Sequence, residues 1–568
     1  MDKVRIFCKN TGEYYNIDPG SKLIDLLQQI HIESKYPVLA AFVDNQLKEL
    51  SFSLYMSHYV EFIDISHPDG RRTYIRSLSF LLQKAVHDLY PEYQLILDYS
   101  LPNGLYGELT WMPDNPREKK SYKTVPLDRS DIEKIKARML ELVAADIPIL
   151  KTKMNNEEAV ALFQSHKQYD KARLFKSLGN FFISVYFMEN YGDTFYGPQL
   201  YSTGAITKFD LLPYSKGFCL QSPSARPPYD IPHVEYQDKL SEVFKENSEW
   251  CNIIGVKDIA TVNEAILHGY AAKIIQVSEA LHERKYAAIA DKIYEKRERV
   301  KLVLIAGPSS SGKTTSSKRV ALQLGVLGLN PIVLAMDNYF VNREDTPVDE
   351  NGNFDFESLG AMDLAFLNKQ LNQLFNGEEI ELPKFDFAAG KRYFDGTKIK
   401  MSEKDILIME GIHALNPELT AEIADTKKFR IYASALTSLS IDENNSISTT
   451  DNRLLRRMVR DNNFRGTSAE QTILRWQSVR NGEYRNIFPY QENADVMFNS
   501  SLIYELPMLK HYAEPLLRRI SPTSPAYAES LRLLKFLSYI VELNPKEQKG
   551  IPPTSVMREF IGGSTFED

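Results

Sequence analysis

The stretch KLVLIAGPSSSGKTT, residues 301–315, decides the fold of this chain. Residues 307–314 match the pattern G-x-x-x-x-G-K-[ST], with a strand-like apolar run directly before them and a predicted helix, Thr315–Gly325, directly after. In that context the glycines let the backbone wrap phosphates, which the amides and the helix N-terminus stabilise. A glycine-serine turn that only resembles the motif is the alternative, and the correct flanks count against it. The stretch predicts a nucleotide-phosphate site.

Eight residues of this loop and helix start are the predicted contacts for the phosphates of ATP. They are Gly307, Ser309, Ser310, Ser311, Gly312, Lys313, Thr314 and Thr315. We expect Lys313 to bridge the β- and γ-phosphates and to take part in catalysis, and we expect Thr314 to ligate Mg²⁺. No NKxD guanine-reading motif follows the loop, which favours ATP.

Two acidic residues follow predicted strands of the same domain. Asp337 ends the strand Ile332–Met336, and Glu410 ends the strand Asp405–Met409. In an open parallel sheet both carboxylates project from the C-terminal edge, beside the phosphate loop. We assign Glu410 to Mg²⁺, through its waters, and Asp337 to the acceptor as general base. An ordinary solvated acid at a strand end is the alternative for either residue.

The arginine-rich stretch DNRLLRRMVRDNNFRG spans residues 451–466. Arg453, Arg456, Arg457 and Arg460 lie at i, i+3, i+4 and i+7 and therefore share one helical face. We expect this face to form a lid that neutralises charge on a triphosphate, with Arg465 close by. A solvated basic face or an RNA-contacting stripe is the alternative.

Composition restricts the class of protein. The chain has 568 residues, a net charge of −7 and a hydrophobic fraction of 43%. The negative charge argues against a protein that coats nucleic acid by bulk electrostatics and leaves room only for a local basic face. The three separated cysteines indicate neither a disulfide framework nor a zinc site. No apolar run of about 18 residues is present, so we expect a cytoplasmic protein without a membrane partner.

Patterning divides the chain into five segments. We predict a small β-grasp-like module over 1–65, an α+β domain over 66–225, a helical linker over 226–299, a doubly wound α/β domain with a parallel sheet over 300–505, and a helical tail over 506–568. The Pro-rich stretch SPSARPPYDIP at 222–232 marks the end of the second domain.

Six blocks in the 300–500 region resemble the uridine kinase and phosphoribulokinase family of P-loop kinases. After GPSSSGKTT they are MDNYF at 336–340, NFDFESLGAMD at 353–363, LPKFDFAAGKR at 382–392, ILIMEGIHAL at 406–415 and the arginine-rich stretch. The resemblance implies phosphoryl transfer from ATP to the 5′-hydroxyl of a nucleoside.

The resemblance also implies roles for individual residues. Asp337 would be the base for the ribose hydroxyl, and Arg456 and Arg457 would serve the phosphates in catalysis. The sugar would be held by Asp355, Arg453 and Gln471, and the base would be bordered by Phe354, Phe385 and Phe387. Each of these aromatic side chains has core packing as its alternative.

The chain departs from uridine kinases at two positions of this base pocket. Phe385 stands where they have Tyr, and Gly390 stands where they have a base-reading His. Both changes remove polar groups, and buried polar groups provide the discrimination between similar substrates. The sequence therefore leaves the acceptor open between a nucleoside, a phosphosugar and another small alcohol.

The N-terminal half resembles other modules. Residues 1–65 are similar to a TGS module, and residues 70–215 are similar to the editing domain of threonyl-tRNA synthetase, through IRSLSFLLQKAVHDLYP, LPNGLYGEL, SDIEKIKARMLELVAADIPI and DTFYGPQLYSTG. The hydrolytic His and Cys positions of that domain correspond here to Arg76, Phe80, Phe195 and Gln199. We therefore expect neither editing nor a zinc site.

The role of this half has two readings. One is an RNA or tRNA contact, aided by the basic segment Arg117–Lys123, in a regulator whose P-loop domain acts as an NTP-driven switch. The other is a scaffold for regulation or for a homo-oligomer. The sequence leaves both open.

Overall fold

The computed structural model describes residues 3–101, 104–111, 123–233, 237–348, 352, 354–386, 389–437 and 439–566. Most of the predicted basic segment Arg117–Lys123 therefore lies outside the described residues. Within the described part of the chain, no helix is both long and apolar enough to cross a membrane.

A mixed five-stranded sheet forms residues 4–64. Its elements are β1 (Val4–Cys8), β2 (Glu13–Ile17), α1 (Leu23–Gln29), β3 (Val38–Val43), β4 (Gln46–Lys48) and β5 (His58–Asp64). The strand order is β2-β1-β5-β3-β4, in which only β1 and β5 are parallel. Every second residue of β1 is buried, and Leu23 and Leu26 of α1 pack into the same core.

Two antiparallel sheets and a long helix follow. The elements are α2 (Pro68–Leu89), β6 (Tyr93–Leu101), β7 (Gly104–Trp111), β8 (Lys123–Val125), α3 (Arg129–Ala144), β9 (Ile149–Asn155), α4 (Asn156–Ser165), α5 (Tyr169–Leu178), β10 (Phe182–Met188), β11 (Tyr191–Asp193), β12 (Asp210–Tyr214) and β13 (Gly217–Gln221). One sheet has the order β12-β13-β7-β6 with β8 beside β7, and the other has the order β11-β10-β9. Helix α2 begins at Pro68, because His67 caps it and proline suits the first position of a helix.

Three helices lead into the parallel sheet. They are α6 (Asp238–Ile254), α7 (Ile259–Leu267) and α8 (Ala271–Glu295). The following elements are β14 (Leu302–Ala306), α9 (Lys313–Val326), β15 (Asn330–Ala335), α10 (Leu364–Phe375), β16 (Glu379–Asp386), β17 (Lys391–Lys400), β18 (Asp405–Glu410), β19 (Lys428–Ser434), β20 (Ser440–Asp442), β21 (Asn445–Ser446), α11 (Thr449–Phe464), α12 (Ala469–Asn486) and β22 (Val496–Asn499).

The parallel sheet confirms the predicted P-loop α/β architecture. Its order is β15-β18-β14-β19-β22, and all neighbouring strands run parallel. Strand β14, which leads into the phosphate loop, is completely buried at the centre. A parallel sheet covered on both faces requires such continuous apolar strands.

Two hairpins, β16–β17 and β20–β21, lie outside this sheet and were not predicted. Strand β17 is exposed along almost its whole length and is rich in charged residues. It therefore lacks the alternation of apolar and polar residues that predicts a β-strand from sequence.

The C-terminal residues wrap around α11. Their helices are α13 (Glu505–Leu517), α14 (Tyr527–Leu537), α15 (Pro545–Gln548) and α16 (Arg558–Ile561). Leu454 and Met458 of α11 share one buried core with Leu506, Leu533 and Phe560 from three of these helices. The tail is thus part of the packing around the arginine-rich helix.

A buried ionic cluster joins the N-terminal half to the parallel-sheet half. Lys171 of α5 is fully buried, and its Nζ lies 2.8 Å from Asp193 Oδ1 and 3.5 Å from Asp442 Oδ1. The same Nζ donates to Asn444 Oδ1 at 2.8 Å. Asp442 and Asn444 belong to the β20–β21 hairpin, which directly precedes α11.

We expect Lys171→Met to destabilise this junction by about 3–5 kcal/mol, because Asp193 and Asp442 would remain buried without their shared counter-ion. Urea unfolding of the full chain, followed by hydrogen exchange in β11 and in the β20–β21 hairpin, measures the effect. The control is Lys153→Met on exposed β9. Equal midpoints for both variants would contradict the assignment.

Candidate functional site

The phosphate loop lies between the end of β14 and the start of α9. Ser310 and Gly312 adopt left-handed conformations, with φ of +59° and +80°. Gly307 passes so close to β19 that an added Cβ would lie 1.9 Å from the carbonyl oxygen of Ala433. The motif's glycines are therefore required by backbone conformation and by close approach, as a loop that wraps phosphate demands.

Three polar side chains of the site converge at the C-terminal edge of the sheet. Thr314 Oγ1 donates a hydrogen bond to Glu410 Oε1 at 3.0 Å, and Lys313 Nζ donates to the carbonyl of Pro308 at 3.3 Å. Burial raises the pKa of Glu410 to about 7, although Lys313 opposes the shift. Burial also lowers the pKa of Lys313.

Asp337 follows β15 at the same edge. Ala335 pairs with Glu410, and Glu410 pairs with Ile305, so the three strands end at one level. The Asp337 side chain opens to solvent in the cleft, yet the surrounding protein limits its hydration and raises its pKa, while Lys313 and Arg465 act in the opposite direction. The structure thus brings Asp337, Lys313, Thr314 and Glu410 together.

The donor set fits a magnesium ion. One hydroxyl and one carboxylate oxygen lie 3.0 Å apart at the mouth of the loop. Mg²⁺ commonly uses one or two protein ligands and completes its shell with water and substrate phosphates. In the described part of the chain no cluster of three or more His, Cys, Asp or Glu side chains offers an all-protein metal cage.

The predicted arginine lid differs from the structure in two of its members. Arg453 and Arg456 are 1% and 0% exposed, so their guanidinium groups lie beneath the loop and not over it. Arg453 pairs with Glu483 and donates from Nε to the carbonyl of Ser309 at 2.9 Å. Arg456 pairs with Glu505. A buried charge must be paired, and this pairing places both groups in the support of the loop.

Arg457 is the arginine of this helix that contacts a loop side chain. Its Nη1 donates to Ser309 Oγ at 2.7 Å, and its Nε donates to Asp461 Oδ2 at 3.2 Å. Arg460 and the more exposed Arg465 lie against the same Asp461, at 2.8 and 3.8 Å. The cleft face of the helix is therefore formed by its C-terminal arginines.

Two carboxylates that the sequence analysis did not single out accept hydrogen bonds from the loop. The amide of Ser309 donates to Glu483 Oε1 at 3.1 Å. Thr315 donates to Glu559 Oε2 from its amide at 3.3 Å and from its hydroxyl at 2.8 Å. Glu559 belongs to α16, some 240 residues along the chain, and no local pattern marks it. Glu559 accepts these hydrogen bonds in the first turn of α9, where a helix N-terminus favours anions.

The side of the cleft where the sequence predicts the acceptor is more open. Phe354 is 45% exposed, and Phe385 packs edge-on against Phe340 with ring centroids 5.8 Å apart. Asp355 Oδ2 lies 3.8 Å from Arg485 Nη1. Phe387 lies outside the described residues.

Gly390 has a structural reason to be glycine. It has φ of +69°, and an added Cβ would lie 2.8 Å from Cβ and from Nε of Arg343. Its carbonyl also accepts a hydrogen bond from the Arg343 amide at 2.8 Å. A His at this position would have to displace the Arg343 side chain and adopt a left-handed backbone conformation, so this arrangement disfavours a base-reading His.

Gln471 lies at the start of α12, away from Arg453. Its side chain closes a capping box with Ser468 at the exposed start of α12. Glu483, the partner of Arg453, lies twelve residues further along the same helix, about 18 Å at roughly 1.5 Å per residue. Arg453 is buried, and Gln471 is remote from it, so this structure does not assemble the predicted sugar contact from these two residues.

Glu357 is an acidic residue of the cleft that was not predicted from the sequence. Burial raises its pKa, whereas Arg457 and Lys313 lower it, and Asp337 and Asp355 lie within electrostatic reach. Glu357 lies two positions after Asp355 in the block NFDFESLGAMD. Its place in this block is the sequence feature that could have marked it as a residue of the cleft.

The four positions that replace the expected hydrolytic residues of the N-terminal half also lie together. Phe80 and Phe195 contact each other edge-on at 5.1 Å. Arg76 Nη1 donates to the carbonyl of Pro198 at 2.6 Å, and Gln199 accepts a hydrogen bond from Ser77. Phe80, Phe195 and Gln199 are buried.

Comparisons with known proteins give two different likenesses. A protein named threonine–tRNA ligase from Pelobacter propionicus (strain DSM 2379 / NBRC 103807 / OttBd1) is 29% identical over 201 residues, which are 35% of this chain and 30% of the ligase. The chain thus spans less than a third of that relative.

A solved structure described as a possible uridine kinase from Bacillus stearothermophilus has 20% identity and a TM-score of 0.24, covering 35% of this chain and 89% of that one.

The second likeness concerns the parallel-sheet half. The family described as "Phosphoribulokinase / Uridine kinase family" matches residues 302–502. A uridine kinase from Staphylococcus aureus (strain JH9) is 30% identical over 197 residues, which are 34% of this chain and 86% of that kinase. Through residues 302–502, the chain belongs to the phosphoribulokinase/uridine kinase family.

Proposed function

We propose that this protein transfers the γ-phosphoryl group of ATP to a hydroxyl of a small molecule, with a nucleoside as the first candidate acceptor. The observation that carries the proposal is the convergence of Lys313, Thr314, Asp337 and Glu410 at one edge of the parallel sheet. Phosphoryl transfer needs mainly positioning and charge neutralisation, together with a carboxylate near the attacking hydroxyl. The kinase family of residues 302–502 supports the same chemistry.

Each residue has a distinct task in the proposed reaction. The loop amides and Lys313 bind the β- and γ-phosphates. Asp337 accepts the proton of the acceptor hydroxyl as its oxygen attacks the γ-phosphorus and the bond to the ADP oxygen breaks. The raised pKa of Asp337 improves it as a base near neutral pH. Mg²⁺ held by Thr314, and through water by Glu410, would neutralise phosphate charge.

The acceptor pocket supports a nucleoside without specifying its base. Phe354 and Phe385 offer apolar surface, and Asp355 offers a carboxylate for sugar hydroxyls. Gly390 and Phe385 withhold the polar groups that would read a base, so we keep a phosphosugar or another small alcohol as alternative acceptors.

A second candidate function concerns the N-terminal half. The 29% identity to a threonine–tRNA ligase favours a contact with tRNA, and we propose the 4–64 sheet as a TGS-like module and the following region as an editing-like one without editing chemistry. In this reading the kinase domain responds to RNA, and the whole chain is a cytoplasmic regulator.

We expect purified protein with Mg²⁺ and ATP to phosphorylate at least one member of a panel of nucleosides and sugar phosphates. In Asp337→Asn, kcat should fall by about 10²–10⁴-fold because the base is lost, whereas the Kd for ATP should change little. Asp291→Asn on the exposed face of α8 is the matched control. A panel without any phosphorylated product would refute the proposed function.

Glu559→Gln should lower the Kd for ATP several-fold. The carboxylate accepts two hydrogen bonds from Thr315, where a nucleotide phosphate would bind, and removing its charge removes a competitor. Titration of the full chain with a non-hydrolysable ATP analogue measures the change, and exposed Glu542→Gln is the control. Weaker binding in Glu559→Gln would show that this carboxylate supports the nucleotide and does not compete with it.

The tRNA contact predicts binding of a tRNA transcript that weakens steeply as salt rises, because phosphate contacts release counterions. A filter-binding titration of the full chain at several salt concentrations tests it. Absence of binding even at low salt would remove the second candidate function.

A further inference from the structure

A cavity of about 230 Å³ lies away from the kinase cleft, where three distant parts of the chain meet. Strand β4, the region from α2 to residue 198, and helix α14 of the C-terminal tail form its walls. We call it the basic cavity after its cationic lining residues, which are Lys48, Arg76, Lys151, Arg532 and Lys535. Its volume is several times the roughly 30 Å³ that one water occupies in the liquid.

The charges of the basic cavity are unbalanced. Its lining contains five cations but only two carboxylates, Glu49 and Asp69. Glu49 pairs with Lys151 at 2.9 Å, and Asp69 pairs with Arg72, which lies outside the lining. Arg532 pairs with Asp451 and Glu529, also outside the lining, so the excess positive charge comes from Lys48, Arg76 and Lys535. A site of this volume that gathers positive charge attracts an anion.

Three of the cations have no carboxylate within ion-pair distance among the described residues. Lys48 donates only to Gln46, Lys535 lies over the ring of Tyr539, and Arg76 donates only to the carbonyl of Pro198. Burial lowers the pKa of all three. Lys151 or Arg532 acts in the same direction, whereas Glu49 opposes the shift of Lys48 and Tyr196 opposes that of Arg76. A bound anion would relieve both the desolvation and the mutual repulsion.

The guanidinium of Arg76 is held in a defined place. It lies over the ring of Tyr196 at 5.4 Å, and it approaches Gly197 so closely that an added Cβ would be 2.6 Å from its carbon and from one of its nitrogens. Only one of its five N–H donors is used, since the described residues provide no second hydrogen-bond acceptor. Donors of this fork geometry match the oxygens of a phosphate group.

Aromatic side chains complete the lining. Tyr186, Phe195 and Tyr196 stand beside the cations, and Ser184 adds a hydroxyl. A ligand with a phosphate and an organic body would satisfy both kinds of surface, because binding sites combine apolar walls with a few polar groups that orient the ligand.

We propose that the basic cavity binds a small phosphate ester, with Arg76, Lys48 and Lys535 as the phosphate ligands and the aromatic side chains against its organic part. Arg76 stands at a position where the synthetase-like likeness had led us to expect a catalytic His. The replacement thus converts a lost hydrolytic position into an anion-binding one.

The basic cavity is connected to the phosphate loop. Arg532, which lines the cavity, donates to both carboxylate oxygens of Asp451, at 2.6 and 2.8 Å, in the first turn of α11. The same helix holds Ser309 of the loop through Arg453 and Arg457. An occupant that attracts Arg532 would therefore act on the helix that supports the ATP site. This coupling rests on the proposed function, whereas the binding itself does not.

Calorimetric titration of the full-length Lys313→Ala variant tests the binding, because this variant weakens phosphate binding at the kinase site. The probes are inorganic phosphate, ribose 5-phosphate and uridine 5′-monophosphate. We expect at least one to bind with a single site, and we expect Arg76→Met to weaken it by about tenfold or more, since charge-assisted hydrogen bonds are lost. Binding of inorganic phosphate alone would favour free phosphate over an ester and contradict the organic part of the proposal.

Two further variants keep the test decisive. Lys535→Met changes a lining residue contributed by α14 and should also weaken the probe, whereas Lys153→Met, outside the lining, should not. If no probe binds, or if neither Arg76→Met nor Lys535→Met reduces binding, the cavity is not a phosphate-ester site.

The coupling has its own readout in the otherwise unmodified chain. The Kd for an ATP analogue is measured first without any probe and then with the best probe present. The two values should differ by about threefold or more in the parent chain and should be equal in Arg76→Met. An unchanged Kd with the probe bound would overturn the coupling alone. Failure of the acceptor panel would instead affect the proposed function and leave the cavity intact.

Discussion

The burial of two charged arginines of α11 is the constraint on which the kinase half of the structure depends. Arg453 and Arg456 are inaccessible to solvent beneath the phosphate loop, and an unpaired charge there would cost several kcal/mol. Their partners, Glu483 and Glu505, come from α12 and α13. Asp451 of the same helix binds Arg532 of α14 in turn. These pairs connect α11 with α12, α13 and α14. Arg453 also donates a hydrogen bond to the carbonyl of Ser309, which supports the phosphate loop.

This arrangement makes the C-terminal tail part of the nucleotide site. Helix α16 packs against α11, and its Glu559 reaches the start of α9, where a phosphate is expected. Two carboxylates, Glu483 and Glu559, thus contact the loop and the start of α9. The same packing brings α14 against the N-terminal half, where it lines the basic cavity. The C-terminal helices therefore contact both the basic cavity and the nucleotide site.

The N-terminal half is joined to the kinase half through polar contacts and not only through apolar packing. Lys171 is shared between Asp193 on one side and Asp442 and Asn444 on the other. Because a fully buried ammonium requires defined partners, the junction specifies one relative placement of the β20–β21 hairpin. That hairpin leads directly into α11, which connects the junction to the loop.

The sequence by itself determined the phosphate loop, the parallel sheet and the meeting of Asp337 with Glu410, because these depend on local motifs and on strands that end at a common edge. Only the tertiary structure decided the roles of Arg453 and Arg456, since a shared helical face does not say whether it meets solvent or protein. It also decided the position of Gln471, the local constraint against a side chain at Gly390, and the contacts of Glu483 and Glu559. These are pairings between residues distant in the chain, and they follow from how helices pack and from which buried charges need a partner, which no local pattern records.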